Sequence, residues 1–469
     1  MLFIVVSPVS WPAKLEGRKF ADRSCYLASQ RRERRTCSRH LGFAVSAALA
    51  GQRIRTYAEH MAKMTIQDKL ALLSDAAKYD ASCASSGTSR RGSRDGKGLG
   101  STTGSGICHA YAPDGRCISL LKILMTNYCV YDCAYCVNRV SSNVPRARFT
   151  VDEVVWLTTE FYRRNYIEGL FLSSGVLRSS DYTMEEMVRI AEKLRAQGFR
   201  GYIHLKTIPD ASPELIERAG LAADRLSINV ELPTDAGVRA YAPEKNPDQI
   251  RGAMGKVRLT MEDYGDRTHT GRQRGKFAPA GQSTQMIVGA DQSNDATILD
   301  NANRLYGAYG LKRVYYSAFS PIPDSSAVLP LIDPPLMREH RLYQADWLLR
   351  FYDFGLDEIV TRDTGGMLDL DVDPKLAWAL ANRDRFPVDV NRAPKDELLR
   401  IPGFGTKIAD RIIMARRTGT LTLEDIRRMG GRIKMAKSFV IARGHTPGHH
   451  LDATDLRQRF VKPSQLELF

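Results

Sequence analysis

Three cysteines fall within eight positions in "YCVYDCAYCVNR" (128–139): Cys129, Cys133 and Cys136, spaced C-x3-C-x2-C. The 469-residue chain has eight cysteines, and none follows Cys136. Where thiols are kept reduced, so tight a cluster points to a metal rather than to a disulfide framework. Three thiolates on one short loop suit three irons of a 4Fe–4S cubane and leave the fourth iron open. Zinc is the alternative, but it wants a fourth protein ligand, usually from a second knuckle-like pair, and no such pair is present. The upstream thiols Cys83, Cys108 and Cys117 are unevenly spaced. That favours buried or incidental thiols over a second cluster. With no late cysteine, Tyr315 and Tyr316 are the downstream candidates for a hydrogen-atom donor, with ordinary strand packing as the plainer role.

A second stretch with chemistry is "APKDELLRIPGFGTKIADRIIMARR" (393–417). Gly403 and Gly405 allow a tight turn and bare N–H groups at the start of a helix, where Thr406 is placed as cap. Lys407 and Arg411 add positive charge, so the arrangement suits a phosphate. This stretch resembles a helix-hairpin-helix module, which implies binding to DNA backbone without sequence reading and with strong salt sensitivity. A protein-interaction variant is the alternative. The following "LEDIRRMGGRIKMAKSFV" looks like a degraded second copy with a mainly structural role. The chain ends "KPSQLELF", in which Gln465, Leu466, Leu468 and Phe469 resemble the pentapeptide that docks bacterial repair and replication proteins onto the sliding clamp.

The elements that must position these residues follow from periodicity. Helical spacing with a Thr cap marks 64–80, and a Gly/Ser/Arg-rich stretch follows at 81–106. From Cys117, short apolar runs at 117–126, 169–175, 201–207, 225–232, 284–290 and 312–319 read as strands. Helical stretches at 150–165, 183–197, 212–220 and 295–309 alternate with them. Six such units predict an α/β fold, a partial (β/α)6 barrel with its chemistry at the C-terminal ends of the strands, followed by a small all-α C-terminal domain. The expected divisions are 1–63 (disordered, or preceding the true start), 64–116 (helix plus Gly/Ser/Arg-rich segment), the barrel 117–320, a helical extension 321–382, the hairpin module 383–445 and the tail 446–469.

Composition agrees with a soluble, cytoplasmic protein: 43% hydrophobic, 26% charged, with no apolar run long enough for a bilayer. Neither "MLFIVV" nor "LGFAVSAALA" makes a convincing export signal. The net charge of +15 sits at the ends. Residues 1–60 carry 11 Lys/Arg against 4 Asp/Glu, residues 383–469 carry 18 against 10, and 61–382 carries 39 of each. The basic loop with Arg267, Arg272, Arg274 and Lys276 falls between the fourth and fifth strands, where it either holds a polynucleotide or is simply solvated.

The cysteine spacing, Tyr135 before the last cysteine and the strand–loop–helix context together resemble the radical S-adenosylmethionine (SAM) superfamily over about 117–320. The resemblance implies a 4Fe–4S cluster on Cys129, Cys133 and Cys136, SAM chelated by the open iron, and a reductant such as flavodoxin or ferredoxin. It also implies release of a 5′-deoxyadenosyl radical that takes a substrate hydrogen. By similarity Tyr135 lies near the adenine, with "MIVGA" (286–290) as its wall. Ser173, Ser174 and Gly175 replace the family's Gly-Gly-Glu stretch at the methionyl amine, so backbone and hydroxyls take the place of a carboxylate. Asn229 and Glu231, alternate residues of one strand, would reach the ribose or the sulfonium. Together with "KYDASCASS" near the start and the hairpin module, 64–445 resembles the bacterial DNA modification or repair radical SAM proteins. That family implies a uracil-DNA-glycosylase-like partner. The expected function is therefore radical modification or repair of DNA bases. A tRNA- or rRNA-modifying enzyme and a non-catalytic iron–sulfur adaptor between DNA and clamp are the alternatives.

Overall fold

The computed structural model describes residues 64–77, 106–111, 117–265, 276–322, 329–360, 362–448 and 451–461. Helix α1 (Ile66–Ala76) starts at a capping box: the Thr65 side chain accepts from the Asp68 N–H, and the Asp68 carboxylate accepts from the Thr65 N–H. The apolar runs form one sheet: β1 (Ile107–Tyr111), β2 (Cys117–Leu124), β3 (Gly169–Ser173), β4 (Tyr202–Lys206), β5 (Arg225–Ser227), β6 (Gln282–Val288) and β7 (Arg313–Ala318). Their spatial order is their chain order. Strands β2 to β7 are parallel, and β1 joins the β2 edge antiparallel. The sheet curls into an open half-barrel. The six anticipated strands are all present; β1 was not anticipated, because five residues beside a Gly-rich run carry too little alternation to count as a strand.

Helices α2 (Val151–Arg163), α3 (Ser180–Ala196), α4 (Pro213–Ala222) and α7 (Asp295–Tyr309) cover the outer face, close to their expected bounds. The segment between β5 and β6 holds two further helices, α5 (Asp235–Tyr241) and α6 (Pro247–Gly265). Strand alternation divides the two faces. Leu170, Leu172, Ile203, Leu205 and Leu226 are buried in the main apolar core. Phe171, His204, Ser227 and Ser283 form a polar-lined row of their own. His204 packs edge-on to Phe171 with ring centroids 4.5 Å apart, and its Nε2 meets Ser227 Oγ at 2.7 Å. Ser227 Oγ meets Ser283 Oγ at 2.6 Å. Burial first, then the nearby Arg225, hold His204 well below its ordinary pKa, so the ring is neutral.

Beyond the barrel come α8 (Leu336–Phe351), α9 (Leu356–Ile359) and α10 (Pro374–Ala381). The hairpin region follows: β8 (Val388–Asp389), α11 (Lys395–Arg400), α12 (Thr406–Ala415), α13 (Leu423–Arg428), α14 (Ile433–Ala436) and β9 (Val440–Ile441), with β8 pairing parallel to β9. A run of ring contacts crosses residue 383: Phe354–Trp378, Trp378–Phe386, Phe386–Phe439 and Phe439–Phe460, with centroids 5.1 to 6.1 Å apart. Arg400 lies 4.0 Å from the Phe354 ring and 5.0 Å from Trp378. The extension and the hairpin region therefore share one core, which fixes the hairpins relative to α8 and α10.

Candidate active site

The cysteine loop leaves the C-terminal end of β2 and is closed at its neck by side chains. Thr126 Oγ1 donates to the Ala147 carbonyl at 2.9 Å, and Asn127 Oδ1 accepts from the Ala147 N–H at 2.7 Å. Arg146 then donates to four carbonyls of the same loop: Asn127, Asn138 (2.8 Å), Arg139 (2.6 Å) and Ser142 (2.9 Å). Later loops hold it from the side. The Tyr131 hydroxyl donates to Asp210 Oδ2 at 2.6 Å, Ser180 donates to the same carboxylate, and the Ala134 N–H donates to the Tyr241 carbonyl at 2.7 Å. The end of β3 supports it from beneath. A Cβ on Gly175 would stand 2.3 Å from the Tyr128 carbonyl oxygen, so only glycine lets "SSG" lie this close to the loop.

All three sulfurs line one cavity at the strand ends, together with Tyr135, Ser173, Ser174, Gly175, Lys206, Asn229, Glu231, Lys245 and Gln285. The Val176 N–H donates to Cys129 Sγ and the Asn138 N–H to Cys136 Sγ, each at 3.4 Å. Such N–H···S contacts stabilise thiolate sulfur and tune a bound cluster. Burial pushes the Cys133 thiol up to about 11 and Cys136 up to about 12, with neighbouring sulfurs adding to both. Bare thiolates are thus disfavoured, and a cation that takes their charge is what the donor set lacks. Among the described residues no three His, Cys, Asp or Glu side chains gather round a single ion position.

The segment after β5 departs from expectation. The strand stops at Ser227 instead of running to 232, and Glu231 beyond it adopts φ +68°, a left-handed conformation that a strand does not hold. Glu231 keeps only an isolated bridge to Met286. Asn229 and Glu231 still share the cavity, but not as alternate residues of one strand. The Glu231 carboxylate accepts from Lys245 at 2.5 Å. Burial pushes Lys245 down, but Glu231 and the cysteine sulfurs outweigh it and hold the lysine above its ordinary range. The Tyr135 hydroxyl is buried without a hydrogen bond of acceptable geometry. Its ionisation is held well above the ordinary value, first by burial and then by nearby Glu231. Asn229 Oδ1 is likewise buried without a hydrogen-bond partner among the described residues. Two unsatisfied polar atoms in one cavity with three sulfurs are what a polar ligand would satisfy. The residues fit a cluster and its SAM.

Some expected contributors stand elsewhere. Tyr316 donates to Asp346 of α8 at 3.1 Å, and Tyr315 lies in a pair with Arg313; neither lines the cavity. Cys108 sits on β1 opposite Leu120, away from the cavity lining, and Cys83 lies outside the described residues, as do Arg267, Arg272 and Arg274. Lys276 is exposed. The Ser174 hydroxyl donates to the Gly175 carbonyl at 2.7 Å. Lys206 and Gln285, joined at 2.7 Å, went unanticipated, though the place of Lys206 at the C-terminal end of β4 could have marked it. Lys245 had no such signal, since it lies in the turn between α5 and α6.

Residues 123–264 match the radical SAM superfamily. The chain carries a radical SAM domain. Radical SAM proteins are enzymes whose cofactors are a 4Fe–4S cluster and SAM. No curated protein sequence matches the chain. Solved structures similar to it include the FeFe-hydrogenase maturase HydG from Carboxydothermus hydrogenoformans (15% identity, TM-score 0.38, 48% of this chain and 50% of that one). Methylornithine synthase PylB is similar at 14% identity and TM-score 0.39, over 48% and 60%. The cobalamin-dependent radical SAM enzyme OxsB is similar at 12% identity and TM-score 0.28, over 42% and 32%. The chain spans about half the length of the two HydG structures it matches. No helix among the described residues is long and apolar enough to cross a membrane.

Proposed function

We propose that this radical SAM enzyme acts on DNA, modifying or repairing bases. When bound, the cluster supplies the electron that cleaves the SAM sulfonium. The residues of the chain do the positioning. Cys129, Cys133 and Cys136 would ligate three irons, the Ser173–Gly175 backbone and the Ser173 and Ser174 hydroxyls would hold the methionyl end, and Asn229 and Tyr135 would offer their unsatisfied polar atoms. Glu231, held by Lys245, carries the charge beside them.

The observation that carries the DNA reading is the hairpin region. It has a net charge of +8 over 383–469 and shares an aromatic core with the extension behind β7. A polyanion held on such a rigid element stays at one distance from the barrel mouth. We also assign to this reading a sliding-clamp contact through Gln465, Leu466, Leu468 and Phe469, which lie outside the described residues. A uracil-DNA-glycosylase-like partner and a flavodoxin or ferredoxin reductant belong to it too. The deciding experiment is anaerobic reconstitution with SAM and dithionite. 5′-Deoxyadenosine release should rise with duplex DNA, and deuterium from a labelled duplex should appear in it. Stimulation by tRNA alone favours the RNA-modifying enzyme, and no 5′-deoxyadenosine under any condition favours the adaptor.

A further inference from the structure

The hairpin anticipated as the phosphate seat faces inward. Phe404 is buried, and its carbonyl accepts from buried Lys375 at 2.5 Å. The Tyr352 hydroxyl stands over the backbone of Gly405 and Thr406, 3.2 Å from where a Gly405 Cβ would lie. Gly405, extended at φ −109°, is the cap of α12, and Thr406 is its first helical residue rather than its cap. On the other side, Gly403 at φ +84° lies against the second hairpin, where a Cβ would come within 2.9 Å of the Arg432 carbonyl. The turn 401–405 is thus enclosed between Tyr352, Lys375 and Arg432.

The second hairpin is the open one. Gly430, at φ +96°, is exposed. From Arg427 to Lys437 the chain has five cations and no carboxylate. Arg427 and Arg428 share Glu424 at 2.6 and 3.3 Å. Arg432, Lys434 and Lys437 are exposed and make no ion pair among the described residues; Lys407 at the start of α12 is the same. Arg411, though exposed, donates to the Met429 carbonyl at 2.6 Å, which joins α12 to this hairpin. Met429, Ile433 and Met435 pack against the core, so the surface shows cations without the apolar anchors a protein partner would want.

We propose that Met429–Lys437, with Lys407 beside it, is the surface that takes the phosphodiester backbone of duplex DNA, and that the 401–405 turn is structural. The proposal rests on the DNA reading above. Unpaired, hydrated cations bind phosphates by releasing counterions, and a turn without side chains lets the backbone approach closely.

The test is fluorescence anisotropy of the full chain with a labelled random-sequence 20-base-pair duplex over a salt series. The variant R432A/K434A/K437A should bind at least about tenfold more weakly near 0.1 M salt, and its log K against log salt slope should flatten by about 2 to 3. A control, R163A/R164A/R189A, removes the same charge from exposed arginines at the C-terminal end of α2 and in α3. It should shift binding much less. Melting curves confirm that each variant is folded, and K434A alone, with a slope change of about 1, serves if the triple variant is not. An unchanged slope in a protein that binds overturns the surface and leaves the DNA reading standing. Equal loss in the control also overturns it, since affinity would then follow net charge. A wild-type chain that does not bind the duplex overturns the reading itself.

Discussion

At the residue scale the cysteine loop depends most on a side chain that carries none of its chemistry. Arg146 satisfies four loop carbonyls with one guanidinium, a fork that lysine's single ammonium cannot reproduce. Arg146→Ala should cost about 3 kcal/mol and leave the loop unable to retain iron, and Arg146→Lys should recover only part of it. Iron and sulfide content after anaerobic reconstitution checks this, with the melting temperature as companion; full iron retention in Arg146→Ala would refute it. The Glu231–Lys245 pair makes a second case. With side chains only 9% and 20% exposed, removing one partner strands a charge. Glu231→Gln or Lys245→Met alone should destabilise by about 3–5 kcal/mol, and the double variant by less than their sum. A thermodynamic cycle from denaturant melts measures the coupling, and strict additivity would rule it out.

At the element scale the notable contact is between α10 and the first hairpin. Burial brings the Lys375 amine down to about 7 against its ordinary 10.5, while its nitrogen holds the Phe404 carbonyl and lies 4.7 Å from the Tyr352 ring. The folded-state pKa is therefore below the unfolded value, and between about pH 7 and 10.5 the unfolded chain binds more protons. Stability should rise with pH through that window by a few kcal/mol and level off below it. Lys375→Met should remove the rise. Urea melts of both proteins at pH 6.5, 8 and 9.5 decide the matter; parallel pH profiles would sink the assignment.

At the scale of the whole molecule, the helical extension and the hairpin region are not separable pieces. Phe386 and Phe439 continue the ring series from Trp378, and Arg457 reaches back to Asp369 and Asp371. A chain ending at residue 382 exposes Trp378 and loses the Phe404 acceptor of Lys375. It should melt at least about 5 °C lower and over a broader range than the full chain, a shift that calorimetry would show. An unchanged transition would mean that the two parts fold independently.

What the sequence determined by itself was local. The C-x3-C-x2-C spacing places three sulfurs on one short loop whatever the fold, strand and helix periods repeat within a few residues, and Thr65 and Thr150 cap their helices through neighbours three positions on. Hence the six parallel strands, four flanking helices and the cysteine loop could be read directly. Tertiary structure decided the rest, because each remaining feature is a meeting of residues far apart in the chain. Lys245 meets Glu231 across a turn that no period marks, and Arg146 closes a loop through carbonyls, which any sequence possesses. The glycines of the two hairpins look alike in sequence, yet Tyr352 and Lys375 cover one turn and leave the other to solvent.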